Sequence, residues 1–269
     1  MGTDRARMGL LGRFKNFFDT SFNVLEGAPA LSPEQDRGLA LGAVYAAEGH
    51  LPVNAPTMEA DPRTAAKLAK GPWGTTDNAS AHATYRYLLD GGHQRIYALM
   101  LLHLEPCLAA HTGGGRRDLK EALTRGTREL TALAPRHGLD PKQAERWFTN
   151  SATYFGLRAK HTAGWERLPR SIAAWDAARV VHTSRIFLDA GFVRPEEAWS
   201  AIAAAVDLSR PAYRSWEEFQ HAFVIGRLFW QHDAKGCDIE GLNDDSRKFQ
   251  EAGKELLTRD DSPWTRLPW

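Results

Sequence analysis

Helix punctuation constrains this chain more than any other feature. Ser32-Pro33-Glu34-Gln35, Asp61-Pro62 and Asp140-Pro141-Lys142-Gln143 each set a capping side chain before a proline. A short polar side chain there accepts from the free N–H groups of a helix's first turn, and proline suits the first helical position. Gln35 and Gln143 stand where the reciprocal partner of a capping box belongs. Arg194-Pro195-Glu196-Glu197 lacks the cap but keeps the proline and an acidic first turn, which favours the helix dipole. Ser215-Trp216-Glu217-Glu218 is a further box, with Ser215 as cap and Glu218 reaching back. Stops match the starts. Gly49, Gly91-Gly92, Gly138, Gly191 and Gly236 follow apolar-periodic runs, where left-handed residues end helices.

Between starts and stops the spacing predicts helices over 33–48, 62–70, 77–90, 94–111, 117–136, 141–159, 171–190, 195–206, 215–232 and 243–258. Strict alternation is nearly absent, and Val, Ile and Thr are too thinly clustered for a sheet. The expected class is all-α, a single compact multi-helix domain of about nine or ten helices. Its parts read as an N-terminal helical extension over 1–60, a core over 61–236, and a C-terminal helix with a docking tail over 237–269. Gly113 to Arg117 reads as an exposed, basic loop between an N-terminal and a C-terminal part.

With 269 residues, a length that suits one large domain or two small ones, 43% hydrophobic residues and a net charge of +1, a disordered chain is excluded. A dedicated nucleic-acid binder, which needs a basic face, is not expected. Two cysteines, Cys107 and Cys237, cannot build a disulfide framework and point to a reducing compartment, so the expected location is cytoplasmic. No apolar run is long enough to span a membrane. Residues 5–18 mix Arg5, Arg7, Arg13 and Lys15 with Leu and Phe. The reading adopted is a first helix packing its Phe residues on the core; attachment to a membrane surface is the alternative.

The nine tryptophans are the compositional excess. Two helices concentrate them beside unexpected charges. In the first, Trp175, Arg179, His182 and Ile186 share one face, and Asp176 can pair with Arg179 three residues on. In the second, Trp216, Phe219, Phe223, Arg227 and Trp230 form one apolar stripe with an arginine set into it. A buried guanidinium needs a carboxylate, and Asp176 is the expected partner of Arg227. Gly226 would let a neighbouring helix approach closely. Two accounts of Asp176, Arg179 and Arg227 stay open. They form a buried ion network docking two helices, or the floor of a pocket walled by Trp175, Trp216 and Trp230 that holds an anionic or phosphorylated ligand.

Other constellations are incomplete. Glu218 and His221 have the Glu-x-x-His spacing of di-iron bundles, but the additional glutamates cannot be identified. His103, Cys107 and His111 step by four, yet Pro106 interrupts them and no fourth ligand lies near. Asn243-Asp244-Asp245-Ser246 reads as a helix N-cap with an acidic first turn. No phosphate loop, nucleophile elbow or catalytic cysteine signature is present, and no metal or cofactor is expected.

Taken in series, Pro72-Trp73-Gly74, Leu88 to His93, Trp175-Asp176-x-x-Arg179, Gly191-Phe192 leading to Glu197-Ala198-Trp199, and Ser215-Trp216-x-x-Phe219 through Gly226-Arg227-x-x-Trp230 resemble the bacterial family called domain of unknown function twelve-sixty-six. The resemblance runs from about Ala65 to Trp230, leaving residues 1–60 and the tail after Gly236 outside it. It implies a compact helical bacterial protein and no particular activity. The first functional expectation is an interaction module whose partner is another protein, in a conflict, secretion or chaperone-linked system. The alternative is an enzyme or binder of an anionic small molecule.

Overall fold

The computed structural model describes residues 22–162, 164–165, 167–233 and 239–269, with only the backbone described for 239–243 and 245. Its helices are α1 Pro33–Leu41, α2 Ala43–Gly49, α3 Pro62–Trp73, α4 Asn78–Leu89, α5 Gln94–Thr112, α6 Arg116–Leu133, α7 Pro141–His161, α8 Ala173–Asp189, α9 Pro195–Ser209, α10 Trp216–Gln231, α11 Ile239–Thr258 and α12 Pro263–Arg266. A 3₁₀ turn, Ala134–His137, follows α6. The fold is all-α, as the punctuation predicts, with no strand among the described residues.

The caps explain most boundaries. Ser32 Oγ accepts from the Gln35 N–H while Gln35 Oε1 accepts from the Ser32 N–H, completing the expected box. Asp61 and Asp140 cap α3 and α7. Three expectations are corrected. Gln143 does not close a box but donates to Asp233 at 2.9 Å, tying α7 to the end of α10. Glu218 reaches back to the N–H of Arg214 rather than to that of Ser215. The left-handed residue after α2 is His50 (φ 51°), not Gly49.

The helix expected over 33–48 breaks at Gly42. A Cβ there would lie 2.5 Å from Val181 Cγ1, so α8 presses against the bare backbone at the junction of α1 and α2. Asn243 to Ser246 lie inside α11, which begins at Ile239, and so are not its N-cap. Residues 5–18, Gly236 and Cys237 lie outside the described residues.

Helix α8 is the axis of the molecule. Every residue from Ile172 to Val181 is buried, which marks a helix surrounded on all sides. It packs against α1, α2, α3, α4, α9 and α10, while α5, α6 and α7 form a three-helix layer. The layer joins the rest through Trp147, whose indole stacks on Phe229 and donates to the Phe229 carbonyl at 2.6 Å, and through Tyr97, which donates to the Pro169 carbonyl at 2.5 Å. One continuous core extends from Phe22 to Trp264. The C-terminal tail docks on it: Trp264 donates to the Ala40 carbonyl and Trp269 to the Tyr213 carbonyl, each at 2.7 Å.

Candidate functional site

Trp175, Arg179 and His182 stand four and three residues apart on α8, so a single face of that helix presents all three. Helix α10 meets this face at Gly226, where a Cβ would lie 2.6 Å from Trp175 Cβ. That close crossing brings Arg227 and Trp230, the next turn of α10, alongside Trp175. Trp73 ends α3, where Gly74 (φ 63°) turns the chain away. Tyr87 comes from α4, His93 from the start of α5 and Tyr45 from α2. Together these side chains enclose an open cavity of about 690 Å³.

Two guanidinium groups lie over the Trp175 ring, Arg179 at 4.8 Å and Arg227 at 5.4 Å from its centroid. Arg179 also lies 5.8 Å from the Trp73 ring, and Arg227 4.2 Å from the Phe249 ring. Trp230 leans on Trp175 with centroids 5.9 Å apart. Planar guanidinium on indole is the geometry that arginine, more than lysine, supplies.

Asp176 is fully buried and forms an ion pair with Arg179. It thus takes the partner expected along the helix, and the proposed Asp176–Arg227 pairing is replaced. The N–H groups of His93 and Gln94 also face its carboxylate. Helix α5 has no capping side chain of its own, so Asp176 serves that helix terminus from another helix. Gly92 (φ 33°) makes room, since a Cβ there would lie 2.6 Å from Asp176 Oδ1. Burial pushes the carboxyl above its ordinary range, against the opposing pull of Arg179 and these N–H groups. Asp176 therefore lies behind the cavity wall and is not part of its lining.

The polar chain continues outward. Arg179 lies 3.3 Å from His93 Nδ1, and the Tyr87 hydroxyl lies 3.3 Å from the same atom. Because arginine only donates, Nδ1 accepts and the ring proton belongs on Nε2. Burial, then the Arg179 charge, lowers the His93 pKa to about 4. His182 stacks on Tyr45 at 4.5 Å and is lowered to about 4 by burial and by Arg185 and Arg227. Both imidazoles are neutral at pH 7. Trp175 Nε1, Arg179 Nε and His182 Nδ1 are buried with no hydrogen-bond partner among the described residues. Each such atom costs roughly 1–3 kcal/mol.

Residues 70–269 match the family described as "Protein of unknown function (DUF1266)". The chain belongs to this family. The match reaches beyond the span of the recognised motifs and takes in the tail after Gly236. Searches of curated proteins and of solved structures gave no match.

Of the six residues expected around one pocket, Trp175, Arg179, Arg227 and Trp230 line it and Asp176 stands behind Arg179. Trp216 does not belong to it. The stripe on α10 runs from Trp216 to Trp230, about 21 Å at a rise of about 1.5 Å per residue, so its two ends serve different places. Trp216 instead stacks on Trp264 at 5.1 Å and donates to the Leu267 carbonyl at 2.8 Å, holding the tail. Helical periodicity does not reach Tyr45 and Tyr87, whose approach depends on tertiary packing; Trp73 and His93 appear in sequence only as fragments of motifs. Among the described residues no group of three His, Cys, Asp or Glu side chains is placed to share a metal ion. No described helix is long and apolar enough to cross a membrane.

Proposed function

We propose that this protein binds a small anionic ligand in the cavity between α3, α4, α8 and α10. The observation that carries this reading is the charge of the wall. Two arginines and two neutral histidines line the cavity, and among the described residues no carboxylate does. Asp176, the acid paired with Arg179, is turned to the inner side of that arginine and to the start of α5. Arg179 is thereby fixed without being turned away from the cavity, and guanidinium groups held in this way suit carboxylate or phosphate oxygens. A volume of about 690 Å³ falls within the range of small-molecule sites. Surrounding indoles lower the local dielectric and strengthen each charge contact.

Calorimetric titration tests the reading with paired probes of similar shape: ribose 5-phosphate against ribose, and indole-3-acetate against indole-3-ethanol. The expected result is saturable binding of the charged member of each pair, weakened by salt, with the neutral member at least tenfold weaker. Arg227→Gln should abolish the difference while costing less stability than Asp176→Asn, because Arg227 is only half-buried. Absence of binding by both anions, or equal binding of charged and neutral probes, overturns the proposal.

A further inference from the structure

The aromatic side chains at the mouth of the cavity carry information that the arginines do not. Among the described residues only six large hydrophobic side chains are strongly exposed, and two of them, Tyr87 at 50% and Trp230 at 42%, stand at this cavity. Trp73, half-buried, lines it as well. Tryptophans elsewhere are well used: Trp147, Trp216, Trp264 and Trp269 each donate an indole hydrogen bond to a backbone carbonyl. Trp230 packs on Trp175 with one side and leaves much of its surface uncovered. An uncovered indole beside a cavity is a stacking surface without its second layer.

We infer that the ligand carries a planar aromatic ring as well as its anionic group, with the ring packed against Trp230 and Tyr87 at the mouth and the anion on the Arg179 and Arg227 side of Trp175. This inference rests on the anion-binding reading and specifies the class of molecule, of which nucleoside monophosphates and aromatic carboxylic acids are both members. The order of groups from mouth to floor is dictated by position. Trp230 and Tyr87 are exposed, whereas Arg179 and Trp175 are almost wholly buried. A ring at the floor would meet an indole already covered by two guanidinium groups and by Trp230. At the mouth it covers apolar surface that otherwise meets water. Stacking of a base on an aromatic side chain is worth about 1–3 kcal/mol by alanine substitution, about a 5- to 150-fold effect on affinity for each ring, and two rings stand at the mouth.

The test compares adenosine 5′-monophosphate with ribose 5-phosphate, and indole-3-acetate with acetate, by calorimetry on the full chain. The aromatic member of each pair should bind at least tenfold more tightly. Trp230→Ala should remove most of that advantage, and Trp230→Phe should restore it. If Trp230→Ala unfolds the protein, Tyr87→Ala, at a half-exposed position, provides the same comparison. Equal affinity within each pair, with anion binding intact, overturns this inference and leaves the anion reading standing. An aromatic advantage that survives both alanine variants also overturns it. Failure of all four probes overturns both.

Discussion

The Asp176–Arg179 pair offers the most exacting test of the fold around the cavity. Asp176 is fully buried and Arg179 is 5% exposed, so neither charge can recover water when its partner is removed. In Asp176→Asn the side chain keeps its shape and loses its charge. The amide then faces donors on every side: the guanidinium of Arg179 and the N–H groups of His93 and Gln94. Whichever way the amide turns, one donor meets another. Removing one partner of a buried pair costs roughly 3–5 kcal/mol. For a chain of this size about 2–4 °C of Tm accompanies each kcal/mol, so the midpoint should fall by about 6–20 °C.

The same argument makes a sharper statement about the double variant. Asp176→Leu with Arg179→Met removes both charges and fills the space with apolar atoms, a change that is often nearly neutral for buried pairs. Denaturant unfolding of the parent, both single variants and the double variant gives the coupling energy. It should be about 2 kcal/mol or more, with the double variant more stable than Asp176→Leu alone. A loss below about 1 kcal/mol for Asp176→Asn, or single-variant losses that simply add to within about 0.5 kcal/mol, would refute the reasoning.

Other perturbations read other parts of the molecule. Gly226→Leu drives a side chain into Trp175, whose Cβ a bare methyl would already approach to 2.6 Å; it should cost about 1–3 kcal/mol in denaturant unfolding and weaken ligand binding together with it. Arg185, 1% exposed, donates from Nη1 to the carbonyls of Pro52, Ala55 and Thr57 at 2.6, 2.8 and 3.1 Å. Arg185→Met should therefore open the 51–60 segment, measured as faster proteolysis there and a Tm loss on the scale of Asp176→Asn. The pH dependence follows from His93 and His182, both lowered from 6.5 to about 4 by burial first, and from buried His232, lowered to about 3. The unfolded chain takes up these protons near 6.5 while the folded chain resists until about 4, so stability is complete above the unfolded value and falls across that window, by roughly 3 kcal/mol per histidine at its limit. Thermal melts from pH 7.5 to 4.5 should show this decline, and His182→Phe should make it shallower without removing it, because His93 and His232 still contribute.

The fold was legible where short-range chemistry decides it. Ser32, Asp61 and Asp140 all cap as their spacing predicts, and most expected helices begin and end within a few residues of those observed. What short-range rules miss is chosen by a distant partner. At Gly42, where the helix breaks, Val181 packs on bare backbone, and nothing around Gly42 in sequence says so. Gln143 satisfies the spacing of a capping box yet finds Asp233 ninety residues away. The same limit applies to the cavity. Helical periodicity grouped Trp175 with Arg179 correctly, because both lie on one helix. It also grouped Trp216 with Trp230, because a stripe fixes direction around an axis but not position along it.

Helix α8 shows why so many costly groups share one segment. Asp176 secures the first turn of α5 and with it His93. Arg185 and Asp189 secure the segment after α2: Asp189 accepts from the Thr57 hydroxyl and from the Met58 and Ala60 N–H groups at 2.7, 2.9 and 3.2 Å. Neither His93 nor Tyr45 lies on α8, yet both stand in the cavity wall beside residues that do. Asp176, Arg185 and Asp189 of α8 thus act as fasteners for walls contributed by other segments, while its Trp175, Arg179 and His182 line the cavity. Tyr45 alone among the lining residues precedes residue 70, where the family match begins. The segment before the matched region therefore supplies one wall of the cavity, the ring on which His182 stacks. A change in that segment should be felt first at His182, and a change in the buried ions of α8 at His93 and Tyr45 together. Ligand affinity at this site is for that reason expected to respond to substitutions that never touch the ligand, in proportion to how far they release α5 or the 51–60 segment from α8.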